Sequence, residues 1–297
     1  MKCLVTGGAG FIGSNIALEI EKLGHSVVVI DNLLSGHEDN LKGLKGKFIN
    51  EDLSGQLSIK EKFDAIFHQA AITDPRYGND EETIRKNING FKNMLKLAKG
   101  SNAKLIYASS ASIYGNSPTP QKEDQEKDIQ SAYAQSKLIM DEMATYHFDD
   151  MHIVGLRYFN VFGPNELHKG RPASMIYHLI RQIKEGKKPK LFKWGEQKRD
   201  HIYVKDVVRA NLLALDSRAG IYNVGTGIAT SFKELYSMIQ EALGTDIEPE
   251  YIDVPYDLKT YQMHTQADTH RAEKYLGFKA VHKLADAIKE YSVMIHV

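Results

Sequence analysis

Two side chains near the middle of the chain have the chemistry of a proton-transfer site. Tyr133 and Lys137 are four residues apart in a segment that predicts a helix, so they share one helix face. A phenol has a pKa of about 10, and a neighbouring ammonium favours its ionised form. Tyr133 can then take the proton of a substrate hydroxyl while a hydride leaves for a cofactor. Because this spacing is also common on surface helices, its meaning depends on its neighbours.

A serine cluster precedes this pair in the chain. Ser109, Ser110 and Ser112 follow a predicted strand at 104–108, at the strand's carboxyl end. A hydroxyl there can hydrogen-bond the oxygen that reacts, whereas serines after a strand more often close turns or cap helices. The pattern alone leaves open which serine has the chemical role.

A glycine-rich loop at 6–13, T-G-G-A-G-F-I-G, follows the first predicted strand and opens the first predicted helix. In a dinucleotide site, Gly7 allows a tight turn, Gly10 lets the backbone approach a pyrophosphate, and Gly13 lets helix and strand pack closely. Asp31 ends the second strand, where its carboxylate can accept both ribose hydroxyls and would repel a 2′-phosphate. We therefore expect NAD, with NADP as the alternative.

A third predicted strand is followed by Asp52 and Leu53, which can hold the adenine, unless Asp52 caps a helix instead. Twelve histidines and one cysteine show no metal-ligand spacing, so we expect no metal site.

The elements that must position these motifs alternate between strand and helix. Strands are predicted at 2–6, 26–30, 48–49, 65–68, 104–108 and 152–157, and helices at 11–23, 81–98 and 133–146. This alternation predicts an α/β fold, a Rossmann-type doubly wound parallel sheet whose ligands bind at the carboxyl ends of the strands.

After residue 158 the alternation stops. We expect a loop at 160–171, helices at 173–185 and 205–215, a strand at 221–224, and two or three helices after 230 around an irregular stretch at 249–266. This predicts a smaller, mostly helical C-terminal lobe. The predicted domains are an NAD-binding domain at 1–160 plus about 198–225, and a nucleotide-sugar lobe at 161–197 and 226–297.

Composition excludes several classes of protein. Lys+Arg and Asp+Glu are both 38, so there is no basic excess for nucleic acid or an anionic membrane. One cysteine excludes an internal disulfide framework. The chain has neither an apolar run long enough to span a bilayer nor a signal peptide, so a cytoplasmic location is expected.

The motifs, together with H-Q-A-A at 68–71, residues 109–115 and R-Y-F-N at 157–160, resemble the extended short-chain dehydrogenase/reductase superfamily. Its members are mostly nucleotide-sugar epimerases and dehydratases. The resemblance selects Ser110 as the serine that acts with Tyr133 and Lys137. It also implies the following cofactor contacts: Gly7, Gly10, Phe11, Ile12, Gly13, Asp31, Asn32, Asp52, Leu53, Gln69, Ala70, Ala71, Asn87, Tyr133, Lys137 and Phe159.

Motifs in the second half, H-K-G at 168–170, A-S-M at 173–175 and K-R-D at 198–200, resemble the ADP-glycero-manno-heptose 6-epimerases. This implies that Lys169 is a second catalytic base, with a solvated loop charge or a phosphate contact as the alternatives. It also implies that Arg199 clamps a diphosphate, unless it pairs with Asp200 or Asp206. The implied substrate contacts are Thr73, Ser110, Asn160, His178, Phe192, Arg199 and Tyr261.

The favoured function is therefore NAD-dependent 6-epimerisation of ADP-heptose through a transient keto-sugar. Departures at 72–78, at Lys193-Trp194 and at Glu38 keep a UDP-hexose or UDP-uronate 4-epimerase as the alternative. Ala111-Ser112 disfavours a dehydratase. The alternative from another class is a non-catalytic NAD-binding redox sensor. The expected partner is a nucleotide-diphosphate sugar, in a homodimer or higher homo-oligomer that pairs the helices at 81–98 and 133–146.

Overall fold

The computed structural model describes residues 1–74, 79–254 and 261–296. Its strands are β1 Lys2–Thr6, β2 Ser26–Asp31, β3 Lys47–Asn50, β4 Ala65–His68, β5 Lys104–Ser110, β6 Ile153–Tyr158, β7 Asn160–Phe162, β8 Lys190–Phe192, β9 Lys198–Tyr203, β10 Gly220–Val224, β11 Ala229–Ser231 and β12 Glu250–Ile252. Its α-helices are α1 Phe11–Lys22, α2 Asp80–Ser101, α3 Ala132–Thr145, α4 Met175–Lys184, α5 Val204–Leu213, α6 Phe232–Leu243 and α7 Leu284–Met294. A π-helical turn spans Ala272–Leu276.

Seven parallel strands form the central sheet in the order β10-β6-β5-β4-β1-β2-β3. The order reverses between β1 and β4, which is the switch point where open α/β sheets bind ligands. Cys3 and Val5 of β1 pack with Ile16 on the face covered by α1 and α5, whereas Leu4 packs with Phe91 on the face covered by α2 and α3. The predicted doubly wound α/β fold is therefore confirmed.

The predicted elements of this sheet lie within a few residues of the observed ones. The largest difference is α2, which begins one residue earlier and ends three residues later than predicted. The Asn79 side chain accepts hydrogen bonds from the backbone N–H groups of Glu81 and Glu82, and Asn102 ends the helix in a left-handed conformation. These capping residues set the boundaries that the apolar periodicity does not define.

The C-terminal lobe contains two small sheets besides its helices. One has the order β11-β9-β7 and the other pairs β8 with β12. The sequence patterns did not indicate these strands, because four have only three residues and β9 is largely polar. In β9, Asp200 is fully buried because its carboxylate accepts hydrogen bonds from the backbone N–H groups of Thr226, Gly227 and Ala267.

A buried ion pair joins α3 to the central sheet. The Asp141 carboxylate of α3 accepts hydrogen bonds from the hydroxyls of Tyr107 (2.8 Å) and Ser109 (3.0 Å) on β5, and from Arg157 Nε (2.8 Å) on β6. Asp141 and Arg157 are 2% and 3% exposed, so water cannot replace either partner. This contact fixes the helix that carries Tyr133 and Lys137.

We predict that Asp141→Asn lowers the free energy of unfolding by about 3–5 kcal/mol, because it leaves the Arg157 guanidinium buried without its counter-charge. Urea denaturation monitored by circular dichroism measures this change. The control is Asp150→Asn, which removes an exposed carboxylate that pairs with Lys99 and should leave the midpoint almost unchanged. Equal midpoints for the two variants would contradict the prediction.

Candidate active site

The carboxyl ends of the central strands open into one cleft of about 580 Å³, a volume typical of small-molecule sites. Most of the residues selected from the sequence line it. They are Gly7, Gly10, Phe11, Ile12, Gly13, Asp31, Asn32, Asp52, Leu53, Gln69, Ala70, Ala71, Thr73, Asn87, Tyr133, Lys137 and Lys169.

The glycine loop has no room for side chains. A Cβ on Gly7, whose φ is +64°, would lie 2.6 Å from the backbone nitrogen of Ala70. A Cβ on Gly13 would lie 2.2 Å from the backbone oxygen of Gly7. The first turn of α1 begins at Gly10 with neither a side-chain cap nor an acidic residue. Its N–H groups are therefore available to an anionic ligand such as a pyrophosphate.

Two carboxylates lie further along the same edge. Asp31 accepts hydrogen bonds from the backbone N–H groups of Ala9 (3.0 Å) and Leu33 (2.8 Å), while burial raises its pKa. The pKa of Asp52 is lowered. Burial alone would raise it, but the hydrogen bonds from Ser54 and the charge of Lys86 together have the larger effect. Asp52 therefore closes the turn at 52–54 and also lines the cleft.

The predicted catalytic trio comes together at the end of β5. Lys137 is 1% exposed, and its Nζ donates a hydrogen bond to the backbone oxygen of Ala108 at 2.6 Å. The same Nζ lies 5.7 Å from the centroid of the Tyr133 ring. The Ser110 hydroxyl hydrogen-bonds the Tyr133 phenol. The structure thus places Ser110 at Tyr133, whereas Ser109 binds Asp141.

The sequence argument expects Lys137 to lower the pKa of Tyr133, and the structure differs. Burial raises the pKa of Tyr133, and the hydrogen bond from Ser110 only partly opposes this shift. Burial also lowers the pKa of Lys137 to about 8, against the opposing charge of Asp141. The ammonium is directed at a carbonyl rather than at the phenol oxygen, so desolvation is the larger effect on Tyr133.

Lys169 belongs to the cleft, although it lies in a short 3₁₀ turn, Leu167–Lys169, far from the trio in sequence. Its Nζ is 5.4 Å from the centroid of the Phe11 ring at the start of α1. Burial lowers the pKa of Lys169, and the charge of Glu166 opposes this shift. It is therefore not a fully solvated loop charge.

Seven selected residues lie outside the cleft lining. Ser110 contacts Tyr133, which does line the cleft, and Phe159 packs against Tyr114 with ring centroids 6.2 Å apart. The Asn160 side chain accepts a hydrogen bond from Thr265, and the His178 ring is 3.1 Å from the backbone oxygen of Arg171. The remaining three are Phe192, Arg199 and Tyr261.

Phe192, Arg199 and Tyr261 form a separate aromatic and cationic cluster in the C-terminal lobe. The rings of Phe192 and Tyr261 meet edge to face at 6.0 Å, and the Arg199 guanidinium lies 5.3 Å from the Tyr261 centroid. Asp200 instead binds backbone N–H groups, and Asp206 does the same at 281–282. Residues 75–78, which belong to the departure at 72–78, lie outside the described residues.

The site selection missed several residues that line the cleft, among them His68, Lys86, Tyr158 and His168. His68 Nδ1 is 2.8 Å from the hydroxyl of Thr6, and its buried Nε2 has no hydrogen-bond partner among the described residues. Burial and the charge of Lys137 lower the pKa of His68 to about 3, so it is neutral. The sequence did offer one signal for His68: it is the last residue of a predicted strand, and ligands bind at the carboxyl ends of parallel strands.

The cleft fits a dinucleotide cofactor. The cleft is lined by the glycine loop, which leaves no room for side chains, by the uncapped start of α1, by Asp31 at the end of β2, and by His68, whose buried Nε2 has no hydrogen-bond partner among the described residues. These donors and acceptors suit a pyrophosphate, a ribose and an uncharged polar group.

Within residues 1–74, 79–254 and 261–296, no group of three His, Cys, Asp or Glu side chains could hold a metal ion. None of the helices in these ranges is both long and apolar enough to cross a membrane.

Comparison with known proteins identifies the family. Residues 3–225 match the NAD dependent epimerase/dehydratase family. The chain belongs to this family. It is 36% identical to the ADP-L-glycero-D-manno-heptose-6-epimerase of Brachyspira hyodysenteriae, across 98% of this chain and 97% of that one. These matches make it an NAD-dependent epimerase of nucleotide sugars.

Two solved structures of family members resemble it closely. The Helicobacter pylori ADP-L-glycero-D-manno-heptose-6-epimerase is 39% identical with a TM-score of 0.93, covering 99% of this chain and 95% of that one. A UDP-glucose-4-epimerase of Stenotrophomonas maltophila with bound NAD is 28% identical with a TM-score of 0.87, covering 99% and 98%. The predicted cofactor, NAD, is confirmed for this epimerase.

We predict that Gly13→Ala weakens NAD binding by roughly 5- to 150-fold, because the new methyl group displaces the Gly7 backbone at a cost of about 1–3 kcal/mol. Isothermal titration calorimetry measures the affinity. The control, Gly100→Ala, adds the same methyl group in α2, where no atom lies within 4 Å, and should leave NAD affinity unchanged. Wild-type affinity in Gly13→Ala would show that the loop relaxes freely.

Proposed function

We propose that this epimerase inverts C6 of ADP-glycero-manno-heptose, with Tyr133 and Lys169 as proton-transfer residues on opposite sides of the sugar. The observation that carries the proposal is the joint placement of the two side chains in one cleft. Tyr133 lies on α3, on one face of the sheet, whereas Lys169 lies over Phe11 of α1, on the other face. Inverting a carbinol centre through a ketone needs a proton partner on each face of the sugar unless the ketone turns over in the site.

NAD, when bound, supplies the acceptor and later the donor of the hydride. Tyr133 Oη accepts the hydroxyl proton of the sugar as its carbon is oxidised to the ketone. Ser110 stays hydrogen-bonded to that phenol and orients the reacting oxygen. Lys137, held at the backbone oxygen of Ala108, keeps a positive charge near the Tyr133 ring, although burial has the larger effect on the pKa of the phenol.

On the other side, Lys169 Nζ donates a proton to the carbonyl oxygen as the carbon is reduced with inverted configuration. One turnover adds a proton to Tyr133 and removes one from Lys169, and exchange with solvent restores both. The lowered pKa of Lys169 suits this role, because an amine must gain and lose its proton near neutral pH.

The C-terminal cluster supports a nucleotide-diphosphate sugar as the substrate. The always-charged guanidinium of Arg199 suits a diphosphate, and the rings of Phe192 and Tyr261 suit a nucleobase. The relatives named ADP-heptose 6-epimerase favour an adenine nucleotide and a heptose. Thr73, Asn160 and His178 remain predicted substrate contacts, and Phe159 remains a predicted cofactor contact.

The remaining expectations from the sequence are also part of the proposal. The division into an NAD-binding domain (1–160 and about 198–225) and a sugar-nucleotide lobe (161–197 and 226–297) is supported by β10, an edge strand of the large sheet, although β9 joins a small sheet instead. The predicted homodimer or higher homo-oligomer and the cytoplasmic location stay predictions.

We predict that the purified protein with NAD inverts C6 of ADP-D-glycero-D-manno-heptose, and that NMR of the C6 proton signal shows both epimers at equilibrium. Parallel samples contain UDP-glucose and UDP-glucuronate. Inversion of the heptose alone would establish the proposed substrate. Inversion of a UDP-sugar alone would overturn the substrate, keep the epimerase, and return Lys169 to a phosphate contact.

We predict that Tyr133→Phe lowers kcat by about 10²–10⁴-fold while NAD still binds, because the ring is retained and only the proton acceptor is lost. Lys169→Met should have the same two effects. Initial rates and calorimetric titration with NAD measure them. Full turnover in Tyr133→Phe would exclude it as the acid/base, and loss of NAD binding would show a structural role instead.

A further inference from the structure

A fully buried carboxylate lies three residues before Lys169. Glu166 is 0% exposed and its side chain does not line the cleft. Glu166 Oε1 accepts hydrogen bonds from the backbone N–H of Gly163 (3.0 Å) and the hydroxyl of Ser174 (2.9 Å), and Oε2 accepts one from the backbone N–H of Ser174 (2.6 Å). One side chain therefore joins the two ends of the segment 163–174.

The backbone of Glu166 also supports the turn that carries Lys169. The backbone N–H of Lys169 donates a hydrogen bond to the backbone oxygen of Glu166 at 3.0 Å. Ser174, which binds the carboxylate, is the N-cap of α4 and accepts a hydrogen bond from the backbone N–H of Tyr177. The carboxylate thus connects the start of α4, the turn at 167–169 and the end of β7.

Contacts between the segment 163–174 and α1 explain why the Glu166 carboxylate sets the position of Lys169 relative to the cleft. Asn165 donates a side-chain hydrogen bond to the Ser14 hydroxyl, and Asn15 donates one to the backbone oxygen of Pro164. Both partners belong to α1, whose first residue, Phe11, lies under the Lys169 ammonium. Because the segment is fixed on α1 at one end and on Ser174 at the other, Glu166 is the interior connection between them.

The charge of Glu166 acts on Lys169 as well. Burial lowers the pKa of Lys169, and the negative charge of Glu166 opposes that shift. His168, beside Lys169, has its pKa lowered by burial and by the charges of Lys169 and His37. Burial raises the pKa of the Tyr291 phenol of α7, and the charge of the neighbouring Glu166 raises it further.

We propose that Glu166 is a positioning residue for the second proton-transfer site: its buried carboxylate closes the segment 163–174 and holds the Lys169 ammonium at the cleft. The inference rests on the proposed function of Lys169. Nothing in the sequence patterns singled Glu166 out, because a glutamate in a polar loop is indistinguishable from a solvated one.

The test is Glu166→Gln in the full-length protein with NAD and ADP-heptose. The amide keeps the shape but loses one acceptor and the charge, so kcat/KM should fall by roughly 10- to 100-fold, mainly through kcat. The limb of the bell-shaped kcat/KM profile that reports Lys169 should move to lower pH by roughly one unit while the other limb stays, because removing a nearby negative charge disfavours the ammonium.

The matched control is Glu185→Gln, which makes the same substitution at a carboxylate paired with Arg181 and Lys187 at the end of α4. It should leave both the rate and the profile unchanged. A Glu166→Gln profile with both limbs at their wild-type pH would overturn the proposal, as would a loss of activity that only follows the folded fraction measured by circular dichroism.

Two variants make the remaining outcomes decisive. If Glu166→Gln does not fold, Ser174→Ala removes one donor and keeps the charge, and kcat/KM should fall by roughly fivefold with NAD affinity retained; a wild-type kcat/KM would overturn the proposal. Lys169→Met distinguishes a failure of the proposed role of Glu166 from a failure of the proposed role of Lys169. If it is inactive while Glu166→Gln is normal, only the role of Glu166 fails; if it is fully active, the role of Lys169 fails and that of Glu166 with it.

Discussion

The site depends on close backbone contacts between the loop after β1, the start of α1 and the end of β4. These contacts leave no room for a side chain at Gly7 or Gly13. Gly7 lies against the backbone of Ala70 after β4, and Gly13 lies against the backbone oxygen of Gly7. A Cβ at either position would separate the three elements. This close approach leaves the uncapped N–H groups of α1 facing the cleft, where they can meet an anionic ligand.

Desolvation sets the chemistry of the groups around that loop. The pKa of His68 falls to about 3 and the pKa of Lys137 to about 8, while the pKa of Tyr133 rises, because burial disfavours the charged form of each. The contact between Ser110 and Tyr133 and the charge of Asp141 near Lys137 oppose these shifts. NAD, when bound, would supply the positive charge of its oxidised ring, which would favour the phenolate of Tyr133.

Buried carboxylates hold the irregular segments of the C-terminal half. Asp200 binds the backbone of 226–227 and 267, Asp206 binds the backbone of 281–282, and Glu166 binds the backbone at 163 and 174. Each satisfies N–H groups that no regular strand or helix could satisfy.

The sequence by itself determined the parallel sheet, its strand positions, the glycine loop, Asp31 and the pair of Tyr133 and Lys137. These features arise from local spacing and from the common edge of parallel strands, so their placement follows from the alternation of elements. The periodic pattern cannot show the short strands of the C-terminal lobe, since three residues carry no period and β9 buries polar groups in non-local hydrogen bonds. The tertiary structure alone decided that Lys137 Nζ is directed at the backbone oxygen of Ala108, that the Lys169 ammonium lies over Phe11, and that burial raises the pKa of Tyr133. Each of these depends on which residues distant in sequence exclude water from a group, and that is a property of the packed chain.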